Sequence, residues 1–170
     1  MAKIHQGVIA YQTTGSEVGR PWHLALLGEA SGKAGHPEEG LSLLAEALTL
    51  AHTAGGCNYE AELYRLQGKL TLQQVNVQRS TFKGEDSLGP SVQRQESQAE
   101  ACFLKAIEIA RRQQAKSWEL RAVTSLARLW QQQGKQKEAH QLVAEIYGWF
   151  TEGFATKDLQ EARALLGEFS

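Results

Sequence analysis

The chain has 170 residues, 42% of them hydrophobic, and 18 Lys and Arg stand against 19 Asp and Glu for a formal net charge of −1. That length and apolar content suffice for one domain with a sizeable core, and so balanced a charge excludes an overall field that would recruit nucleic acid or anionic lipid. Two cysteines, Cys57 and Cys102, form no CxxC pair and are too few for a disulfide framework, and no apolar run approaches the roughly 20 residues that span a bilayer, so the chain reads as soluble, reduced and cytoplasmic.

Apolar residues recur at helical spacing almost throughout, and no segment keeps the alternation of a strand. At the start, Ile4, Gly7, Ala10 and Gly15 match Leu44, Ala47, Leu50 and Gly55 at an offset of 40. Residues 1–15 therefore read as a truncated half repeat, a second helix lacking its first, as in a piece cut from a longer array. Its Ile4, Val8 and Tyr11 would form an apolar edge through which the chain pairs with itself. Trp22 to Ala34 is predicted as the next helix, punctuated by Gly35. Pro37, followed by Glu38 and Glu39, suits the first turn of another, with Leu41, Leu44, Leu48 and Ala51 along it and the Gly55-Gly56 pair at its end. Together these make a first repeat over 20–55.

A second repeat, 58–114, starts with Asn58 as a cap and carries Ala61, Tyr64, Leu66, Leu70 and Leu72. Inside it, residues 76–94 are polar, hold two Gly and a Pro and show no apolar period, so they read as a flexible insertion between the two helices of the repeat. A third repeat follows over 116–152, and 156–169 is predicted as a closing helix with Leu159, Ala162, Leu166 and Phe169 on one face.

The period ties these elements together. Gly28 and Gly68 lie 40 residues apart, as do Ala99-x3-Phe103-x2-Ala106 and Ala139-x3-Val143-x2-Ile146. From Gly68 to Ala127 the interval is 59, which exceeds the period by the length of segment 76–94. A repeat of this size marks an array in which one helix pair cannot bury its apolar face alone. The expected fold is all-α, a helical-repeat solenoid of about eight antiparallel helices.

The small residues Gly28, Gly68 and Ala127 in the first helices, and the triplets Gly40-Leu44-Ala47, Ala99-Phe103-Ala106 and Ala139-Val143-Ile146 in the second, resemble the signature of tetratricopeptide repeats. The period exceeds the usual value of about 34, and His52, Arg111 and Thr151 stand where the loop proline is expected. The run AEACFLKAIEIARRQQAKSWELRAVTSLARLWQQQGK, followed by YGWFTEGF, is similar to the C-terminal repeat region of large bacterial signalling proteins. In those proteins a nucleotide cyclase, kinase or DNA-binding domain precedes an ATPase domain, and tetratricopeptide-like repeats follow. The resemblance implies a cytoplasmic interaction arm and transfers no catalytic residue, because the family's active sites lie in other domains.

Nothing in the residues themselves assembles an enzyme. Gly28 to Ala34 has three residues between its glycines and an alanine after Lys33, where a phosphate-binding loop needs four and a hydroxyl. The five histidines form neither HxxxH nor HExxH, so no metal or other cofactor is expected. Cys102 reads as a small buried hydrophobe, and Trp118, Trp130, Trp149, Phe150 and Phe154 as fillers of the seam between the third repeat and its cap.

Tetratricopeptide geometry implies that first-helix places two, five, nine and twelve face a concave groove. Here these are Trp22, Ala25, Glu29 and Gly32; then Glu62, Arg65, Lys69 and Leu72; then Arg121, Thr124, Arg128 and Gln131. Arg65, Lys69, Arg121, Thr124 and Arg128 are accordingly the candidate binding residues, with Arg121 and Arg128 expected at the surface and an acidic peptide or protein as partner. The asparagines of the best-known peptide clamp are replaced by Leu66/Lys69 and Ser125/Arg128, so that specificity does not carry over. The expected function is a protein–protein interaction module, the repeat arm of a multidomain bacterial regulator. The alternative is a sensor or oligomerisation arm that controls an attached ATPase or cyclase.

Overall fold

The computed structural model describes residues 19–53, 58–81 and 89–169, and among them every regular element is a helix. There are seven: α1 Arg20–Lys33, α2 Pro37–Thr53, α3 Glu60–Thr81, α4 Gly89–Arg112, α5 Lys116–Gln132, α6 Gln136–Tyr147 and α7 Lys157–Glu168. The half repeat over 1–15 with its edge Ile4, Val8 and Tyr11, the Gly55-Gly56 break and Cys57 lie outside the described residues. None of the seven helices is long and apolar enough to cross a membrane.

Each helix packs on its neighbours in the chain, and the odd-numbered helices also touch in succession, α1 on α3, α3 on α5 and α5 on α7. The even-numbered helices α2, α4 and α6 make no such contacts with one another. The odd helices therefore form one layer whose members touch in succession, an inner layer, and the even ones lie on its outer side.

Small residues let the layers close. A Cβ on Gly28 would stand 3.0 Å from the carbonyl oxygen of Gly40 and 3.2 Å from Leu44 Cγ, and one on Gly68 would stand 2.7 Å from Phe103 Cε1 and 3.0 Å from the Ala99 carbonyl. Gly28 thus meets Gly40 and Leu44, and Gly68 meets Ala99 and Phe103, where a side chain on either glycine would collide. Leu44, Ala47, Leu63 and Leu70 fill one seam; Phe103, Leu120, Val123, Leu126 and Val143 fill the next. At about 25 cal/mol per Å² of apolar area removed from water, such clusters are the main force holding one pair on the next.

The prediction for residues 76–94 requires correction. They are not an insertion outside the helices: α3 continues through Thr81 and α4 starts at Gly89, so only 82–88 lie outside the described residues. The reason is visible one residue earlier. First helices end seven residues after their small landmark at Gly35 (φ +90°) and Gly134 (φ +78°), a left-handed conformation that glycine adopts without penalty. The same place in the second repeat holds Val75, a β-branched residue for which positive φ is a severe outlier, and the helix runs on. Val75 and Val92 are both buried, and Arg79 Nη2 donates to Glu96 Oε1 at 2.9 Å, so the lengthened helices pair with each other. An apolar period too sparse to register along the sequence is sufficient once two helices share it.

Successive pairs are also latched by charge. Arg111 Nε donates to Glu119 Oε1 at 2.7 Å, and Lys116 Nζ donates to Glu119 Oε2 at 2.7 Å. Fifty-nine residues earlier, at the corresponding places, His52 Nε2 lies 3.2 Å from Glu60 Oε1. On α7 the buried face is Leu159, Ala162 and Leu165, whereas the predicted Leu166 and Phe169 are only half-buried, a shift of one residue along the helix. The aromatics of the last third fill the seam between the third repeat and its cap only in part: Trp130 and Phe150 pack against its core. Trp130 donates to Glu100 across a seam at 2.8 Å, but Trp149 and Phe154 are exposed.

Candidate functional site

Glu62, on the first turn of α3, is the organising residue. Its carboxylate accepts from Arg65 Nε and Nη2, both at 2.7 Å, and its Oε1 also lies 2.8 Å from Arg121 Nη2 of α5. The i, i+3 spacing puts Glu62 and Arg65 on one face of α3, and the packing of α5 on α3 delivers the second guanidinium. Two arginines sharing one carboxylate leave a net positive charge, held rigidly by bidentate geometry. Arg65 is almost wholly buried. Burial acts to pull its pKa down, but the Glu62 hydrogen bonds and the charges of Glu62, Glu29 and Asp158 outweigh that and raise it, so it stays cationic.

Above this group lies a cavity of about 550 Å³ walled by the odd-numbered helices and α4. The α3 wall carries Arg65, Lys69 and Leu72 and, on the extension beyond Val75, Asn76 and Arg79. The α5 wall carries Arg121, Thr124, Ser125, Arg128 and Gln132. Glu29 comes from α1, Glu96 and Phe103 from α4, and Lys157, Asp158 and Glu161 from α7. Apolar surface from Leu72, Val75, Phe103 and Leu129 lies among these polar walls.

All five candidate residues, Arg65, Lys69, Arg121, Thr124 and Arg128, thus line a single cavity, and Glu29 and Leu72 join them at their expected places. Trp22, Ala25, Gly32 and Gln131 do not line it, and Glu62 lies beneath. The expectation that Arg121 projects freely is corrected: it is only partly exposed, because it reaches down to Glu62 and lies over the Trp118 ring at 5.3 Å. Arg128 is exposed as expected.

Most charges in the wall are already answered. Lys69 lies 3.8 Å from Glu29, which Lys33 approaches at 3.0 Å. Burial, with the like charge of Arg65 added, lowers the Lys69 pKa; Glu29 is held below the ordinary carboxylate range because Lys33, Lys69 and Arg65 outweigh its own burial. Lys157 stands 3.6 Å from Glu161. Thr124 Oγ1 donates to its own helix at Leu120 O, 2.8 Å away, and Arg65 Nη1 donates to Ser125 Oγ at 3.5 Å.

A group of rings lies beside Arg121, outside the cavity lining. Trp118 stands one turn before Arg121, its ring centroid 6.4 Å from that of Trp22 on α1, and Trp22 is 5.4 Å from Tyr59. The contact reaches across α3, between two helices whose backbones do not approach.

Sequence reasoning missed the α7 side, Asp158 and Glu161, because that helix read only as a cap; their i, i+3 spacing beside its apolar face was the available signal. It missed Asn76, Arg79 and Glu96 because their segments lacked an apolar period. Cys102 is half-buried and its Sγ donates to Gln67 Oε1 at 3.6 Å; burial raises its pKa, which suits a packed thiol and not a nucleophile. Among the described residues no group of three His, Cys, Asp or Glu is placed to hold a metal ion. No family model matches the chain, and the comparison with curated proteins finds no match.

Proposed function

We propose that this chain is a tetratricopeptide-like repeat array acting as a protein-interaction module without enzymatic activity, the repeat arm of a multidomain bacterial regulator in the cytoplasm. A peptide or helix of a partner enters the concave face, and arginines fix its orientation. One observation carries the reading: side chains at corresponding places of successive first helices, Arg65 and Lys69 on α3 and Arg121, Thr124 and Arg128 on α5, line one cavity of about 550 Å³. Arginine held in fixed geometry recognises carboxylates well, and the apolar surface at Leu72 and Leu129 supplies desolvated contact area.

A photo-crosslinking residue in place of Gln132, on the cavity wall, tests this in the whole regulator inside the bacterium. The expected result is a protein adduct at 132 that disappears with Arg128→Glu, and none from the exposed Leu104, which lies off the cavity. Adducts only from 104 would move the interface elsewhere. The volume also falls in the range of small-ligand sites. That favours the sensor arm as second reading, for which neither position yields a protein adduct.

A further inference from the structure

The cavity holds two side chains of opposite charge, Arg128 and Asp158, that have no hydrogen-bonded or ion-paired partner among the described residues. Arg128 on α5 is exposed and makes no hydrogen bond or ion pair among the described residues. Asp158, in the first turn of α7, likewise has no hydrogen-bonded or ion-paired partner among them. Both line the same space, yet they are not paired with each other, although the charge of Asp158 is felt by Arg65. Their neighbours differ in this respect: Arg65 and Arg121 share Glu62, Arg79 is bonded to Glu96, and Lys157 is near Glu161.

Charge of one sign would call for a simple acidic ligand. Here a purely acidic segment seated on Arg128 would bring its remaining carboxylates toward Asp158, and juxtaposed like charges repel. A purely basic segment would meet the reverse problem at Arg65, Arg121 and Arg128.

We propose that the occupant of this groove is a bipolar peptide segment, with an acidic side chain on Arg128 and a basic one, lysine or arginine, on Asp158. The inference rests on the groove being a peptide site, as proposed above. It replaces the expectation of a uniformly acidic partner. Asp158 on α7 then has a role in selection, disfavouring acidic segments that the arginines alone would accept. The array thereby selects on charge order in addition to charge, since Arg128 and Asp158 stand on different helices and a segment docked in reverse would place like against like.

The test is panning of a random dodecapeptide phage library on the purified 170-residue chain, with Arg128→Glu, Asp158→Lys and the milder Asp158→Asn panned in parallel. Unchanged circular dichroism and melting show that each variant folds. Peptides selected by the unsubstituted chain are expected to carry both an acidic and a basic residue at a fixed separation. Selection by Asp158→Lys or Asp158→Asn is expected to keep the acidic residue and lose the basic one, and Arg128→Glu to do the opposite. For a resynthesised peptide, exchange of its basic residue for glutamine should weaken binding to the unsubstituted chain about tenfold, and to Asp158→Asn by less than twofold. If the selected peptides are simply acidic and the Asp158 variants select the same set, the bipolar inference fails while the groove reading stands. If no peptide is enriched, or enrichment is indifferent to all three substitutions, both fail.

Discussion

Trp22 and Trp118, on two helices whose backbones do not approach, meet ring to ring at 6.4 Å and 60° across the end of the helix that separates them. The contact ties the first described pair to the third. Aromatic pairs of this kind contribute about 0.5–1.5 kcal/mol beyond their area burial. A double-mutant cycle with Trp22→Leu and Trp118→Leu should return a coupling of that size by denaturant unfolding. Strict additivity would show that the inner layer is more open in solution.

Glu62 balances two guanidinium groups, one of them buried. Glu62→Gln should destabilise the fold by about 3 kcal/mol, since it leaves Arg65 charged and without its counter-ion. Adding Arg65→Met should recover part of that loss, because the uncompensated buried charge goes with it. A double variant no more stable than Glu62→Gln would refute this account of the pair.

Glu119 gives the array a pH dependence. Its burial pushes the carboxyl pKa up, but hydrogen bonds from Lys116 and Arg111 and their charges outweigh that, and it lies below the ordinary value. A carboxylate depressed in the folded state contributes stability that is present above its unfolded pKa of about 4.3 and is lost as pH falls through the folded value. Arg111 is half exposed, so solvent screens the pair. Glu119→Gln should cost about 1–2 kcal/mol at pH 7, and the gap in melting temperature from the unsubstituted chain should narrow below pH 4. A gap constant down to pH 3 would exclude the latch.

Two helical glycines should respond oppositely to alanine. Around Gly167 a Cβ meets nothing within 4 Å, so Gly167→Ala should stabilise by about 0.5–1 kcal/mol through helix propensity. At Gly68 the same methyl meets the Phe103 ring and the Ala99 carbonyl, and Gly68→Ala should destabilise by about 1–3 kcal/mol despite that propensity. Thermal melts of the two variants decide the point.

Exchange of residues 76–94 for a short Gly/Ser linker should lower stability by about 2 kcal/mol or more, the burial of Val92 alone accounting for much of it. It also removes Asn76 and Arg79 from the cavity wall. An unchanged melting temperature would return the segment to the status of an insertion.

The sequence by itself determined the helical class and the seams. Gly28, Gly68 and their partners Gly40, Leu44, Ala99 and Phe103 can be paired by counting, because close approach needs a small residue at a fixed place in every repeat. The resemblance to tetratricopeptide repeats, carried onto this chain by counting, implied one surface for Arg65, Lys69, Arg121, Thr124 and Arg128, and all five line one cavity. Only the tertiary structure decided which of those charges are free. That Glu62 holds both Arg65 and Arg121, and that α7 turns Asp158 toward Arg128's cavity, depend on distances between helices far apart in the chain. A periodic pattern fixes which face a side chain occupies; the packing of helices distant in the chain, summed over several interfaces, fixes what stands opposite it.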